Sequence, residues 1–453
     1  MTDDFIAGSA PRPLPVVGHM FPLMRRPIDF LGSLSEYGDL VEIRLGPTPA
    51  YVPCHPALVR QVLTNDRVFD KGGPLYDRAR AIVGNGLGSC PHSDHRRQRR
   101  LVQPAFHRQR MSHYATVMEN EVSALTESWE EGQAIDAFPA FYDLALRIST
   151  RTLFAGNVDE SDISRIRGSF DVALHRIVKT MFLPPALQNL PTPANRRYKQ
   201  ALDYLHEAVG RIVSQYRESG VDHGDLMSML IAAADEEEGG GGLDDTEVHD
   251  QVMSLLLASS ETVPACLAWT LHTLSLQPEV LIRLQEEVDS VVKGPTATWS
   301  DVEELPYTQR VLTETLRLYP PGWLFTRVAT QGVELAGRHL PPGAIIIFSP
   351  PAVHGHADAF DNPEKFDPDR WLPGRMPAVP RGSFASFGGG ARKCIGDNFA
   401  MAEMVIALAT MVRSWRFECV PGSDLRPASL ATVCHPRRLL LKIGRRGPKL
   451  ANA

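Results

Sequence analysis

The six cysteines of this 453-residue chain (Cys54, Cys90, Cys266, Cys394, Cys419 and Cys434) form no C-x-x-C pair. Neither a disulfide framework nor a zinc ribbon is therefore expected, and most of them should be plain buried thiols. Basic runs are missing apart from R-R-Q-R-R at residues 96–100, and with a formal net charge of −6 nucleic acid is not an expected partner. The opening M-T-D-D-F has neither the basic nor the apolar segment of a secretory leader. No stretch approaches the ~18 consecutive apolar residues of a transmembrane helix. The expectation is a cytoplasmic protein with no membrane anchor. Internal repeats are absent too, and so is a linker. The E-E-E-G-G-G-G run at residues 236–242 is flanked at once by helical pattern, so it reads as a surface loop inside one domain spanning residues 1–453.

What is present is ordinary globular material, 43% hydrophobic and 22% charged, enough for a large core. Apolar residues at three- and four-residue spacing predict helices near 55–64, 92–105, 112–129, 139–154, 160–180, 197–217, 246–277, 279–292, 300–318 and 397–414. Alternation around 41–53 predicts a short hairpin, and further extended pieces fall near 324–349 and 415–442. The fold class is mainly α with a minor sheet. Ser300 and Glu303 have capping-box spacing at the start of the 300–318 helix, which Pro320 and Pro321 end. The 246–277 helix, roughly 48 Å long, is apolar all round and should run through the core. Pro264 inside it lacks an N–H and should bend or open it beside Glu261 and Thr262.

The most informative segment is F-G-G-G-A-R-K-C-I-G, from Phe387 to Gly396, which leads directly into a helix. Three glycines bring backbone close to a flat object. A cysteine at a helix start should have its pKa lowered by backbone N–H groups and the helix dipole, which favours thiolate. A thiolate is the ligand that helps a haem iron cleave dioxygen. The segment resembles the F-x-x-G-x-R-x-C-x-G loop of the cytochromes P450, with Phe387, Gly390, Arg392, Cys394 and Gly396 in place. The bland competitor is a buried structural cysteine in a glycine turn; a zinc site from Cys90, His92 and His95 has no fourth ligand spaced to close it.

Further segments match in family order. E-T-L-R at Glu314 and Arg317, with Arg370 in F-D-P-D-R-W, resembles the buried ion cluster that supports the haem loop. His95 and Arg99 on the basic helix, with Arg327 in T-R-V-A and Arg392, match residues that hold haem propionates. Glu261 and Thr262 match the acid and alcohol that deliver protons to bound dioxygen, although Ser259 stands where glycine is usual. By family position the substrate pocket includes Leu75, Tyr76, Val83, Ala258, Val263, Trp323, Leu324, Phe325, Leu430, Thr432 and Val433.

The resemblance implies a triangular helical prism with a small β-rich lobe. It implies haem b, with Cys394 as iron ligand, and oxidation of an apolar small molecule by dioxygen. Overall texture is similar to actinobacterial members that oxidise terpenes. The short stretch after Cys394 leaves no room for a fused reductase, so a separate ferredoxin and ferredoxin reductase should supply electrons to a monomer. Arg96, Arg97 and Arg100 are expected to face outward and dock an acidic ferredoxin. A peroxygenase or an isomerase on the same scaffold is the first alternative, which the Glu261–Thr262 pair argues against. A haem-based sensor is the second, and it lacks a signalling domain.

Overall fold

A computed structural model describes residues 5–154, 160–180, 190–235, 241–375, 382–428 and 431–447. Helices dominate it. The longest is the central helix Asp245–Leu276, started by a capping box in which Asp244 accepts from the Glu247 N–H while Glu247 accepts from the Asp244 N–H. By length and apolar composition this helix could cross a membrane, but its apolar stretch is mostly buried within the protein. Helices Ala137–Phe154 and Asp397–Ser414 pack against it, Arg108–Glu127 packs on both of these, and their side chains merge into one large apolar core.

A six-stranded mixed sheet forms the second part, in the order Ala7–Ser9, Leu40–Leu45, Thr48–Pro53, Ile345–Phe348, Phe325–Ala329, Phe69–Asp70. The expected hairpin is its centre, with Val41 opposite Val52. Beside it, Arg327 pairs in register with Ile346, which fixes the height at which its guanidinium leaves the sheet.

Three expectations need correction. The 300–318 segment is two helices, Trp299–Val302 and Pro306–Leu318. The capping box of the first belongs to Thr298 and Asp301, not Ser300 and Glu303, and Pro306 opens the second because a first-turn N–H is dispensable. Second, the helix continues unbroken through Pro264 instead of opening there. Pro264 and its neighbours Val263 and Ala265 are buried, so packing on both sides holds the ladder around the one missing bond. Third, helices Pro74–Val83 and Leu226–Ala232 had no clear apolar spacing and were not expected. Of the acidic-glycine run, Gly241 and Gly242 pair with Ala234 and Asp235 as a short ladder, and residues 236–240 lie outside the described residues.

Candidate active site

The cysteine loop is shaped by left-handed backbone at Gly388 (φ 70°) and Gly390 (φ 62°). At Gly390 any side chain would also collide, since a Cβ would sit 2.2 Å from the Leu63 carbonyl oxygen. At Gly396 the nearest protein atom to such a Cβ is a Phe106 ring carbon at an ordinary 3.7 Å, so the chain itself does not demand glycine there. The Cys394 N–H donates to the Phe387 carbonyl (2.9 Å), which closes the loop and packs Phe387 at the edge of the main core.

Cys394 is exposed, as is Cys419, whereas Cys54, Cys90, Cys266 and Cys434 are buried. The Cys394 thiol pKa is nonetheless raised, contrary to the lowering expected from the helix start. Burial is the largest cause and Asp397 adds to it; the Gly396 N–H, Arg99 and Lys393 oppose it without prevailing. A metal ion bound at this sulfur would favour its thiolate form.

Next to this loop the structure gathers buried cations. Arg392 is held by Asp66 (3.2 Å), Asp70 (2.8 Å) and the Cys90 carbonyl (2.9 Å). Much of its donor capacity is therefore spent within the protein. Arg327 donates to the Tyr76 hydroxyl (3.2 Å) and the Thr326 carbonyl (2.9 Å). Lys71, which no sequence motif singles out, donates to the carbonyls of Gly88 (2.7 Å) and Leu87 (3.3 Å). Its pKa falls to about 7 through burial and the charges of Arg327 and Arg392. His95 is pushed down to about 3 by burial and by Arg392, Lys71 and Arg99, so it is a neutral imidazole. Arg99 reaches from the basic helix His92–Val102 to the Lys393 carbonyl beside the cysteine. Lys71, Arg99, Arg327 and Arg392 outnumber the carboxylates Asp66 and Asp70. Cations that repel one another while buried call for an anion, and their excess suits a dianionic group.

Glu261 and Thr262 lie on the central helix, in its largely buried middle, where Ala258 is exposed and Glu261 and Thr262 are half-buried. Glu261 accepts a short hydrogen bond from the Thr432 hydroxyl. Its carboxyl pKa is pushed up to about 7, chiefly by burial, with Asp171 adding and Thr432 opposing. Near neutrality it can therefore exist as either acid or base. The Thr262 hydroxyl donates to the Ala258 carbonyl (3.0 Å). Ser259 points elsewhere: it receives a hydrogen bond from Ser149 (2.8 Å) on Ala137–Phe154 and donates to the Leu255 carbonyl (2.8 Å).

The sequence profile of the cytochrome P450 family matches residues 9–443. This chain belongs to the cytochrome P450 family. It is 52% identical to pentalenene oxygenase of Streptomyces avermitilis, over 98% of both chains. It is 44% identical to cyclooctat-9-en-7-ol 5-monooxygenase of Streptomyces melanosporofaciens, over 95% of both. Among solved structures, the haem domain of cytochrome P450DA superposes with a TM-score of 0.88 at 26% identity, covering 98% of this chain and 99% of that one.

As a P450 the chain is a haem-dependent monooxygenase, and the residues present fit haem b. The cation cluster suits its two propionates, the room at Gly396 suits a flat macrocycle, and Cys394 offers the sulfur. Bound haem supplies dioxygen activation; the chain anchors it and controls the space above it.

The expected ion cluster is present and larger than expected. Arg317 binds Glu314 through two bonds of 2.9 Å, and Arg370 reaches the same carboxylate at 3.4 Å. Trp371 Nε1 (2.9 Å) and the Asp367 N–H (3.0 Å) complete its shell. Next to it His354, with its pKa lowered to about 3 by burial, accepts the Ala385 N–H at Nε2 (3.0 Å). Its Nδ1 must then carry the proton given to the Arg317 carbonyl (2.8 Å). Sequence alone does not reveal Trp371 and His354 as partners, because nothing in their local pattern points to Glu314.

Of the expected pocket residues, Tyr76, Val83, Val263, Trp323, Leu324 and Val433 are buried. Leu75 packs against both the main core and the cluster that holds Trp323 and Leu324. Phe325 differs: it stacks on Phe348 and joins the group around Val59 and Leu63, apart from Trp323 and Leu324. Leu430 lies outside the described residues.

Proposed function

We propose that this P450 oxidises a terpenoid hydrocarbon or alcohol, with electrons from a separate ferredoxin and its reductase, and with Glu261 and Thr262 passing protons to the distal side. What supports this reading is the character of the residues expected to line the pocket: Val83, Val263, Leu324 and Val433 are apolar and buried, and Glu261 and Thr432 are hydrogen-bonded to each other. Such a lining selects by shape and holds a polycyclic skeleton without demanding a charged group. Pentalenene and cyclooctat-9-en-7-ol, after which the two Streptomyces relatives are named, are terpenoids and agree with it. In this reading Cys394 is the iron ligand, and Lys71, His95, Arg99 and Arg327 receive the propionates. The peroxygenase and isomerase alternatives gain nothing from a carboxyl poised near neutrality.

The proposed ferredoxin surface rests on fewer of the three arginines. Arg97 is turned to Glu247 (2.5 Å) and the Gly242 carbonyl (2.7 Å), so of the three arginines Arg96 is the exposed one. The decisive experiment titrates the haem-loaded protein with sesquiterpene and diterpene hydrocarbons, fatty acids and aromatic amines. Terpenes alone should displace water from the iron, seen as a shift of the Soret band, and should yield oxygenated product with surrogate ferredoxin partners. Tight, productive binding of fatty acids but no terpene would overturn the substrate class.

A further inference from the structure

One face of the molecule departs from the rest of its surface. Among the described residues, four of the ten exposed large apolar side chains fall within residues 14–21: Leu14, Val16, Val17 and Phe21. Val16 is 88% exposed at the tip of a turn closed by reciprocal bonds between Leu14 and Gly18 (2.9 and 2.8 Å). Its φ of 67° lies in the left-handed region, where a β-branched residue is strained. A free turn would carry glycine or asparagine at such a position, and strain of this kind concentrates where a segment contacts something. The tip is also braced, through a Gly18–Leu45 bridge and the Gly46 N–H to the Val17 carbonyl (3.2 Å).

Cations surround it. Arg25 shares the short helix Met20–Arg25 with Phe21, its guanidinium 5.8 Å from the ring. Arg25 and Arg26 line a cavity of about 350 Å³ whose lining also includes Arg426 and Arg437 and, from the interior, Trp323 and Cys434. Asp29 lines the same cavity, and Asp424 beside it binds Arg426 through both oxygens (2.8 and 2.6 Å). Arginines still outnumber acids here, on a chain whose net charge is −6.

We propose that this face docks on an anionic phospholipid bilayer. Val16, Val17 and Phe21 enter the boundary between headgroups and acyl chains, while Arg25 and Arg26 hold lipid phosphates, for which a planar guanidinium is well shaped. A narrow convex apolar tip suits a deformable surface. A protein partner would instead need a complementary patch of roughly 800 Å². Docking does not depend on the identity of the substrate, but it brings the cavity that reaches Trp323 to the lipid, where an apolar substrate dissolves.

The test is vesicle flotation of the haem-loaded full chain, with phosphatidylcholine alone and with added phosphatidylglycerol. The wild type should float with the anionic vesicles, and less so as salt rises. Val16→Glu combined with Phe21→Glu should lower the bound fraction at least about tenfold, and Arg25→Ala or Arg26→Ala about fivefold each. Leu276→Glu with Ile282→Glu, exposed apolar positions elsewhere, should change nothing, and all variants should keep the wild-type haem spectrum. The proposal is overturned if the wild type does not float with anionic vesicles, or if the tip variant floats as well as it does. It is equally overturned if the face instead mediates a dimer in solution that Phe21→Glu abolishes.

Discussion

The two sides of the candidate haem site are built on opposite principles. The cysteine side is crowded with charge: Arg392 between Asp66 and Asp70, Lys71 and Arg327 nearby, and the Glu314–Arg317–Arg370 cluster behind. The central-helix side is sparser in charge, with Glu261 buried, bonded to Thr432 and felt only by Asp171 among carboxylates. The first arrangement fixes a charged group in one place, since buried cations and carboxylates satisfy one another in few geometries. The second leaves position to shape, with Glu261 as the group proposed to transfer protons.

Removing the sulfur should break the comparison most completely. Cys394→Ser is expected to abolish the thiolate-type Soret band of the reduced carbon-monoxide complex; a variant that kept the band would show that another residue ligates the iron. Next in size, Glu314→Leu leaves Arg317 and Arg370 buried without their carboxylate. It should cost about 3–5 kcal/mol of stability and most of the haem incorporation, both visible in denaturant titration and haem content.

On the other side, Glu261→Gln should preserve haem content and slow proton-dependent turnover about 100-fold. The sign of the pH dependence comes from the raised pKa. The carboxyl holds its proton below about 7 and loses it above, so coupling of NADH to product should fall as pH rises through 7 in the wild type and stay flat in the variant. An identical pH profile in both would remove Glu261 from the relay. A smaller effect is expected at Lys71, where Lys71→Met should weaken haem retention about tenfold, measured by transfer to apomyoglobin, without altering the pH profile. Smallest of all, Ser259→Ala removes the bond to Ser149 and should cost about 1 kcal/mol while coupling stays unchanged, because this hydroxyl ties two helices together and does not face the iron site.

Local chemistry made much of this legible in advance. The glycine-rich cysteine loop, the E-x-x-R spacing and the long apolar helix each carry their signal within a few turns of chain, and covalent spacing cannot be altered by folding. Tertiary structure alone decided the rest. Lys71 sits in an unremarkable F-D-K-G-G run and becomes a candidate propionate partner only because folding buries it beside Arg327 and Arg392, hundreds of residues away. Arg97 and Arg96 are neighbours in a basic run, yet packing sends one to Glu247 and leaves the other exposed. The helix start at Cys394 promised a lowered pKa, but desolvation depends on everything packed around the sulfur, and it prevails. Sequence determines which groups are available and which lie on one local face; the balance of burial against charge, which sets what those groups do, is a sum over neighbours that only the folded chain supplies.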